Sequence, residues 1–595
     1  MKVMKKSVST SKKVFLISLT IMLLLSLVNW GLVTGWGDTR VTRINMVGDD
    51  GMQYSALMYV PKAATNENPL PGIMMYHGNS GNARNHESWA LEFARRGFVC
   101  LSVDNNGAGN GEYSGKIGNL ASPDLFTNYF VELPFVDAEH LVFSGHSMGA
   151  DITLQMAADY QPVACVISDC GPFGTEDPFY GNTLYINGKA DKLNPIDVYR
   201  QRAKDRFTLN GVEVEDEALV PDKVYGSFEE GNASMLTEID GQIHEGAFVS
   251  HEHIAALLNF AQKSVQAPNP LDGDDQIWFM KDMVGLLGML SFAFFLVALA
   301  VVLIDAIPFF QSLKQPLPRN IGMRGKDLAI SITAALLFPV LCLFTGSFGL
   351  VDLFGTKAPN VPIFQVRYTN IAMATVIALN LLGLVMVFVF HKVWGKKKFN
   401  AGIRDYGLTS EGSSKLDRPL IGKAAVLAVS VVTIGWLYLA VQGGLLGTDF
   451  YCMFFGYKPI STNKFGYYIP YMLVWVVCFV MATIGMNVER RLPSTGKESL
   501  DTLIAVVVNG LLATAGITIM VIVENSIQIG LGTSATALAN WGTDITRLWG
   551  MPVGMFIGGA GNTYMYRKTG SIWPGAILMG IVCALNSCLY GQIQF

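Results

Sequence analysis

Long apolar blocks separated by short polar loops fill the chain beyond Gln276. Each block is long enough for a helix that crosses the hydrocarbon layer of a bilayer. We predict about eight spans there, at residues 277–304, 328–351, 370–392, 422–446, 467–486, 502–524, 548–565 and 571–589. A further block at 14–33 follows an N-terminal stretch with five lysines, and no small-x-small cleavage site comes after it. Because this block is also longer than the apolar core of a cleavable signal, we predict an uncleaved anchor.

A different pattern runs from residue 37 to residue 276. Apolar runs of strand length alternate there with amphipathic stretches, and none of the runs is long enough to cross a bilayer. Such alternation predicts a mostly parallel β-sheet flanked by helices, which is the α/β class. We therefore divide the chain into a basic N-terminus with its anchor (1–36), an α/β domain (37–266), a Pro- and Asp-rich linker (267–276) and an all-α polytopic membrane domain (277–595).

The distribution of Lys and Arg predicts on which side of the membrane each part of the chain lies. Lys and Arg concentrate in the loops 305–327, 391–423, 487–500 and 566–570, which share a side with the lysine-rich N-terminus if the spans alternate. Basic loops stay in the cytoplasm, so we predict a plasma-membrane protein whose N-terminus is cytoplasmic and whose α/β domain and C-terminus lie outside the cytoplasm. The net charge of -4 and the lack of a basic stripe argue against a nucleic-acid partner.

The stretch GHSMG, from Gly145 to Gly149, is the first candidate for chemistry. The apolar run HLVFS precedes the serine, and the helix-like ADITLQMAADY follows the motif. In a nucleophile elbow the serine lies on a strained turn between strand and helix, and small residues are needed where the two nearly touch. Gly145 and Gly149 supply these small residues, so we predict that the turn presents Ser147 as a nucleophile.

Four further motifs accompany the elbow, namely HGNSG (77–81), VDNNGAGNGEYSG (103–115), NGKADKLNP (187–195) and DGQIHEG (240–246). With these motifs in this order, residues 40–266 resemble an α/β-hydrolase of the esterase, dienelactone hydrolase and serine aminopeptidase kind. The resemblance implies an α/β-hydrolase fold joined here to a polytopic membrane domain.

The resemblance also implies roles for individual residues. Ser147 would be the nucleophile, His244 the base that takes its proton, and Asp191 the acid that orients the histidine. The backbone N–H groups of Met148 and Asn79 would form the oxyanion hole. This chemistry needs neither a metal ion nor an organic cofactor.

Other residues compete for two of these roles. His251 and His253 also follow the acid in the chain, but both begin a predicted helix, and His253 is the stronger alternative. Asp169, one strand earlier, is the alternative acid. Asp104 is interpreted as a structural aspartate at the end of its strand, and His77 as a residue that shapes the loop of the oxyanion hole.

Together these residues predict an enzyme that hydrolyses a carboxylic ester through an acyl-enzyme intermediate. The short connection between Asp169 and Asn182 lacks a cap, so we expect an open site that faces water. Its substrate would be bulky, or a lipid or other acyl ester delivered along the outer membrane face. A peptidase or an acyltransferase would use the same groups. The alternative from another class is a transporter or sensor whose hydrolase-like domain binds a ligand without catalysis.

The remaining features concern cysteines and the predicted spans. Spacing allows a Cys165–Cys170 bridge without establishing one. The C-terminal stretch YRKTGSIWPGAILMGIVCALNS resembles the last motif region of CAAX-type intramembrane proteases, but the histidine expected there is absent. Polar residues inside the spans are candidates for interhelical hydrogen bonds or for function, namely Asn380, Asn509, Glu524, Asn525, Asn562 and Asn586.

Overall fold

The computed structural model describes residues 9–113, 115, 120–169, 177–344, 363–453, 455–532 and 548–593. Residues 39–265 form a nine-stranded sheet with flanking helices. The anchor helix α1 (Thr10–Thr34) and residues 278–588 form a helical region. This is the predicted fold class, an α/β region joined to an all-helical one.

The sheet is built from β1 (Thr39–Val47), β2 (Gln53–Pro61), β3 (Leu70–Tyr76), β4 (Val99–Val103), β5 (Val136–His146), β6 (Ala164–Ser168), β7 (Asn182–Gly188), β8 (Val224–Tyr225) and β9 (Ser234–Ile239). The strand order is β1-β2-β4-β3-β5-β6-β7-β9-β8, and the six strands from β4 to β9 in this order are parallel. Parallel strands end at the same edge of a sheet, so the loops that follow them bring distant residues together there.

Both faces of this sheet are buried. Met74, Phe143 and Tyr185 belong to one apolar cluster, and Ile73 and Val142 belong to another. Successive side chains of a strand point to opposite faces, which explains why neighbours in sequence join different clusters. The flanking helices are α2 (Glu87–Arg95), α3 (Ala121–Val131), α4 (Met148–Tyr160), α5 (Ile196–Leu209) and α6 (His251–Val265).

The helical region continues with α7 (Trp278–Ala306), α8 (Gly325–Phe344), α9 (Arg367–Phe390), α10 (Arg418–Leu446), α11 (Phe465–Ile484), α12 (Glu498–Leu531), α13 (Met551–Thr569) and α14 (Trp573–Cys588). Two short helices, Pro308–Gln311 and Lys396–Phe399, lie in its loops, and a hairpin of β10 (Phe450–Cys452) and β11 (Phe455–Tyr457) joins α10 to α11. Helix α1 packs along α7, α11 along α14, and α12 along α13. The anchor is therefore part of the bundle.

Six helices of the described chain are long and apolar enough to cross a membrane, namely Thr10–Thr34, Trp278–Ala306, Ala372–Phe399, Arg418–Leu446, Phe465–Glu489 and Glu498–Leu531. Three of the nine predicted spans are not among them. Helix α8 is described only to Phe344, and the rest of that predicted span lies outside the described residues. Helix α13 carries small and polar residues along its length, and α14 has only 16 residues. Nine spans therefore stay a prediction, and six of them have a matching helix.

The two ends of the bundle contact different parts of the protein. At one end two of the basic loops touch each other, because Arg319 pairs with Asp405 at 2.7 Å and so joins loop 305–327 to loop 391–423. At the other end, segment 447–464 contacts the α/β region. The basic loops and the α/β region therefore lie at opposite ends of the bundle.

Buried charges hold the α/β region against the bundle. Arg84 Nη1 lies 2.5 Å from Glu87, Arg84 Nε lies 3.2 Å from Asp449, and Lys281 of α7 pairs with Glu87. All four side chains are at most 5% exposed. Removing one of them would leave a partner charge buried and unpaired, which is strongly destabilising. The network therefore fixes the position of the two regions relative to each other.

The linker is also held in place. Arg96 of the α/β region donates to the backbone carbonyl oxygens of Asp272 at 2.5 Å and Asp275 at 3.0 Å. Glu92 of α2 accepts the backbone N–H groups of Ile277 at 2.6 Å and Trp278 at 2.9 Å. A carboxylate at the start of α7 satisfies N–H groups that have no acceptor within the helix. The α/β region thus caps the first helix that follows it.

Candidate active site

Ser147 occupies the turn between β5 and α4. Its φ of 57° and ψ of -123° form a backbone conformation that a non-glycine residue adopts only under strain. A Cβ atom at Gly145 would lie 2.2 Å from the carbonyl oxygen of Gly149, and one at Gly149 would lie 1.8 Å from that of Tyr76. Both glycines are therefore required for the turn, as the motif predicts.

Ser147, His244 and Asp191 form a continuous hydrogen-bonded chain. His244 Nε2 lies 2.9 Å from Ser147 Oγ, and His244 Nδ1 lies 2.7 Å from Asp191 Oδ2. Asp191 follows β7, and its other oxygen accepts the N–H groups of Leu193 at 2.7 Å and Asn194 at 3.2 Å. Since the carboxylate accepts the proton on Nδ1, Nε2 is the unprotonated nitrogen that faces the serine hydroxyl in the neutral form of His244. The structure thus brings the three predicted residues together in the predicted sequence of contacts.

Burial and charge shift the pKa values of His244 and Asp191 in opposite directions. Burial would lower the pKa of His244, but the charge of Asp191 and the hydrogen bond to it outweigh burial and raise that pKa to about 9. Burial would raise the pKa of Asp191, but the charge of His244 and hydrogen bonds from His244, Asn194 and Leu193 hold it below its ordinary value. The Asp191 carboxylate is therefore charged and stabilises the protonated histidine that forms when His244 takes a proton.

The residues of the predicted oxyanion hole lie near the nucleophile. Met148 is the first residue of α4, so its N–H has no acceptor within the helix. Asn79 lines the same cavity as Ser147. A Cβ atom at Gly78 would lie 3.0 Å from Ser147 Cβ, so the loop that carries Asn79 passes beside the nucleophile. The role of these two N–H groups stays a prediction.

The alternatives His253 and Asp169 lie in a second group of buried side chains beside the first. His253 Nδ1 lies 3.1 Å from Gln242 Nε2, and His253 Nε2 lies 3.1 Å from Ser168 Oγ. Asp169 Oδ2 accepts from Gln242 Nε2 at 3.0 Å. Neither residue hydrogen-bonds to Ser147 in the part of the chain that the structure describes.

The other residues that the sequence brought forward are engaged elsewhere. His251, at the start of α6, is about half exposed and lies 3.2 Å from an aspartate of the linker. Asp104 is buried and pairs with Arg43 at 2.6 Å, which agrees with a structural role. His77 Nε2 accepts the N–H of Asn105 at 2.9 Å, and Nδ1–H donates to the backbone at 2.7 Å. Both nitrogens of His77 therefore hold the surrounding loops.

Ser147 and His244 line a cavity of about 180 Å³, and the helical region covers part of it. Most of the lining comes from α9, α11, α13, α14 and the segments beside them, including Trp475, Met551 and Tyr590. The site is therefore more covered than the missing cap predicts. The α/β region has no cap of its own, but residues far along the chain cover part of the site.

Residues that follow α14 fasten this cover to the loops of the site. Gln592 Oε1 accepts the N–H of Ser80 at 2.7 Å, and its amide nitrogen donates to the carbonyl oxygen of Asn106. The N–H of Ile593 donates to the carbonyl oxygen of Gly107 at 3.0 Å. Sequence reasoning missed these residues because they form no motif and lie outside the region that resembles a hydrolase.

Glu524, the acidic residue among the polar candidates of the predicted spans, contacts the α/β region. It is fully buried in α12, and its carboxylate lies 3.6 Å from Nζ of Lys192. Gln528 donates to the same carboxylate at 3.2 Å. Because Lys192 directly follows Asp191, this contact ties the loop of the acid to a membrane helix.

The asparagines of the spans mostly bond to neighbouring elements. Asn509 donates to Thr563 at 3.0 Å, Asn562 donates to Thr483, and Asn586 donates to the Gly456 carbonyl oxygen at 3.1 Å. Asn380 instead donates to a carbonyl oxygen of its own helix at 2.8 Å. The interhelical hydrogen bonds expected of intramembrane asparagines are thus present for Asn509 and Asn562, whereas Asn586 bonds to strand β11.

The cysteines and the C-terminal helix complete the comparison with the sequence. Cys165 is buried, and Cys170 lies outside the described residues, so the bridge between them stays a prediction. Cys583 of α14 is buried, and its thiol donates to the carbonyl oxygen of Gly554 at 3.4 Å. Across the described ranges, no three His, Cys, Asp or Glu side chains group in a way that could hold a metal ion. The resemblance to CAAX-type proteases finds no support there.

Comparison with known proteins returns solved structures but no sequence family. No protein-family model and no curated protein matches the chain. Esterase Est22 is 13% identical and aligns over 43% of this chain and 92% of its own, with a TM-score of 0.29. An esterase of Pyrobaculum calidifontis is 16% identical and aligns over 42% of this chain and 93% of its own, with a TM-score of 0.29. A putative dienelactone hydrolase of Klebsiella pneumoniae is 14% identical and aligns over 38% of this chain and 98% of its own, with a TM-score of 0.28. At such identities the chemistry must be argued from this chain's own residues.

Proposed function

We propose that this protein is a membrane-embedded serine hydrolase that cleaves carboxylic esters through an acyl-enzyme intermediate. The proposal rests on one observation: Ser147, His244 and Asp191 are joined by hydrogen bonds of 2.9 Å and 2.7 Å at a strained turn that opens into a cavity. A serine with only a structural role has no need of a histidine–carboxylate pair beside it.

The reaction follows from these contacts. Ser147 Oγ attacks the ester carbonyl carbon while His244 Nε2 takes the hydroxyl proton. The N–H groups of Met148 and Asn79 hold the oxygen that becomes negative. When the bond to the alcohol breaks, His244 returns the proton to the leaving oxygen, and the acyl group stays on the serine. A water molecule then attacks the acyl carbon by the same route, which releases the acid and restores Ser147.

We also propose that the α/β region lies outside the cytoplasm. The basic loops gather at one end of the bundle, and the α/β region sits at the other. Since basic loops are retained in the cytoplasm, this separation supports the predicted orientation.

The test uses a membrane-impermeant fluorophosphonate probe on intact cells, with Ser147→Ala and lysed cells as controls. Labelling of intact cells that disappears in the variant is the expected result. Labelling only after lysis would overturn the orientation and keep the enzyme. Absence of labelling in both, with expression confirmed, would favour the transporter or sensor alternative.

A further inference from the structure

The cavity beside Ser147 has a polar end and an apolar body. The polar end is the hydroxyl and imidazole of the chain already described, together with the loop 77–81. The body is lined by large apolar side chains of the helical region, among them Phe455, Trp475, Met551 and Met555. A pocket of this shape places an ester group at the serine and an apolar substituent between the helices.

Two polar groups in the helical wall have no hydrogen-bond partner among the residues the structure describes. They are the indole N–H of Trp475 and the hydroxyl of Tyr590. These side chains are 2% and 5% exposed, so water reaches them poorly. The rings of both residues line the cavity, whereas the two polar atoms themselves are buried away from it. The rings therefore present carbon atoms to a bound ligand and extend the apolar body of the pocket.

One wall of the cavity is left open by a glycine. Gly554 of α13 lines the cavity, and a Cβ atom placed on it would meet only Asn586 Oδ1, at 3.4 Å. That distance is ordinary van der Waals contact. A larger side chain at this position therefore extends into the cavity without a clash against backbone, and it would shorten the space available to a substrate.

We propose that the substrates are esters with a long apolar acyl chain, and that the membrane helices α9, α11, α13 and α14 form the pocket for the chain. This inference rests on the proposed function and adds its substrate class. Membrane lipids and free amphiphilic esters share this chemistry. The selectivity for chain length resides in the helical region, and the α/β region carries the reacting groups.

The test compares kcat/KM for p-nitrophenyl butyrate and p-nitrophenyl decanoate in the full-length protein in detergent. Each methylene buried in an apolar pocket contributes about fourfold. We expect the wild type to prefer the decanoate, and Gly554→Leu to lower the decanoate-to-butyrate ratio by about 100-fold, which corresponds to several methylenes lost from the pocket. Gly383→Leu is the matched control, because Gly383 is also in a membrane helix and a Cβ there meets nothing within 4 Å.

The outcomes separate this inference from the proposed function. If Gly554→Leu and Gly383→Leu leave the same decanoate-to-butyrate ratio while a short fluorophosphonate still labels Ser147, the pocket assignment is wrong and the hydrolase stands. If Ser147 is never labelled in the wild type, the proposed function fails first. Decanoylglycerol in phosphatidylcholine nanodiscs tests whether the substrate is a membrane lipid or a free amphiphilic ester. If Gly554→Leu lowers the turnover of decanoylglycerol in the nanodiscs, the substrate is a membrane lipid. If Gly554→Leu lowers only the turnover of the soluble ester, the substrate is a free amphiphile.

A second variant keeps the inference testable if Gly554→Leu folds poorly. Ala372→Leu enlarges a small buried side chain that lines the same cavity from α9. We expect the decanoate-to-butyrate ratio to fall by about tenfold or more, because the added carbon atoms take space from the acyl chain. An unchanged ratio, with Ser147 still labelled by the short fluorophosphonate, would overturn the pocket assignment.

Discussion

Two groups of buried side chains near β6 and β7 have the same components and opposite properties. In the first, Asp191 contacts His244 directly, and His244 contacts Ser147. In the second, the amide of Gln242 stands between Asp169 and a histidine, His253, which contacts Ser168. Both groups contain a carboxylate, a histidine and a serine, yet only the first lines the cavity.

The interposed amide changes the charge and the direction of the hydrogen bonds. Burial lowers the pKa of His253 to about 3, whereas Asp191 raises that of His244 to about 9. Because the Gln242 amide donates to His253 Nδ1, the proton of His253 is on Nε2 and points at Ser168. That histidine cannot accept a proton from the serine. Direct contact with a charged carboxylate, rather than the set of residue types, makes His244 more basic than His253.

Replacing the two serines gives the largest contrast. Ser147→Ala removes the only oxygen in contact with His244 Nε2 among the described residues, so we expect kcat for ester hydrolysis to fall by about 10⁶-fold. Ser168→Ala should leave turnover near normal and lower the stability by about 1 kcal/mol through a lost buried hydrogen bond. Ester turnover and thermal unfolding of both variants measure this. Loss of turnover in Ser168→Ala alone would reverse the assignment.

The histidines should differ almost as much. His244→Ala removes the base, and we expect a loss of about 10⁵-fold or more in kcat. His253→Ala should keep most activity but lower the stability by about 2 kcal/mol, because His253 is fully buried and packs on Trp89 with ring centroids 5.8 Å apart. The measurement is the same pair of assays. Equal losses of turnover in the two variants would contradict the distinction between the groups.

Replacing the two aspartates should give the next largest difference in turnover. Asp191→Asn removes the charge and disturbs the tautomer of His244, so kcat should fall by about 10³–10⁴-fold. Asp169 is buried and lies near Asp191. Burial and the negative charge of Asp191 both hold the pKa of Asp169 well above its ordinary value. Asp169→Asn should therefore change kcat by less than about tenfold, and asparagine also tolerates its φ of 45°. A larger loss in Asp169→Asn than in Asp191→Asn would move the acid to the earlier strand.

The dependence on pH sharpens the comparison further. His244 must be neutral to accept a proton, so kcat/KM should rise with pH and level off near the raised pKa of about 9. In Asp191→Asn the rising limb should move to lower pH. A profile that levels off near pH 6.5 in the wild type would show that Asp191 does not raise the pKa of His244.

Stability should respond to pH in opposite ways through the two histidines. The raised pKa of His244 contributes stability that is fully present below pH 6.5 and is lost as pH rises through 9. The lowered pKa of His253 makes the fold lose stability as pH falls from 6.5 toward 3. Comparing Tm across pH in His244→Ala, His253→Ala and the wild type isolates each contribution, and parallel Tm curves would rule both out.

The sequence predicts that Ser147, His244 and Asp191 come together because their signals are local. The elbow needs Gly145 and Gly149 within one turn, and the collisions that a Cβ would cause at both are the reason for the motif. Asp191 and His244 each follow a buried strand of the parallel sheet, so strand order alone places them at one edge. The sequence could not exclude Asp169 as the acid or His253 as the base, because nothing in the sequence indicates that the Gln242 amide lies between them.

The cover of the site could not be predicted from the sequence. Trp475 and Tyr590 lie far along the chain in apolar segments, and nothing in such segments specifies which helix faces a partner. Helix packing in a bilayer depends on shape and small residues, and Gly554 is one of many glycines in those helices. Length and hydropathy predict that helices exist there, and they leave the arrangement of the helices open.

The contribution of residues 548–593 to the cavity also sets an order of events during synthesis. The α/β region leaves the ribosome first, and translation of the remaining helices takes on the order of tens of seconds. A nascent chain therefore carries Ser147, His244 and Asp191 before much of the cavity wall has been made. The proposed preference for long esters would accordingly arise only once the last helices have been inserted.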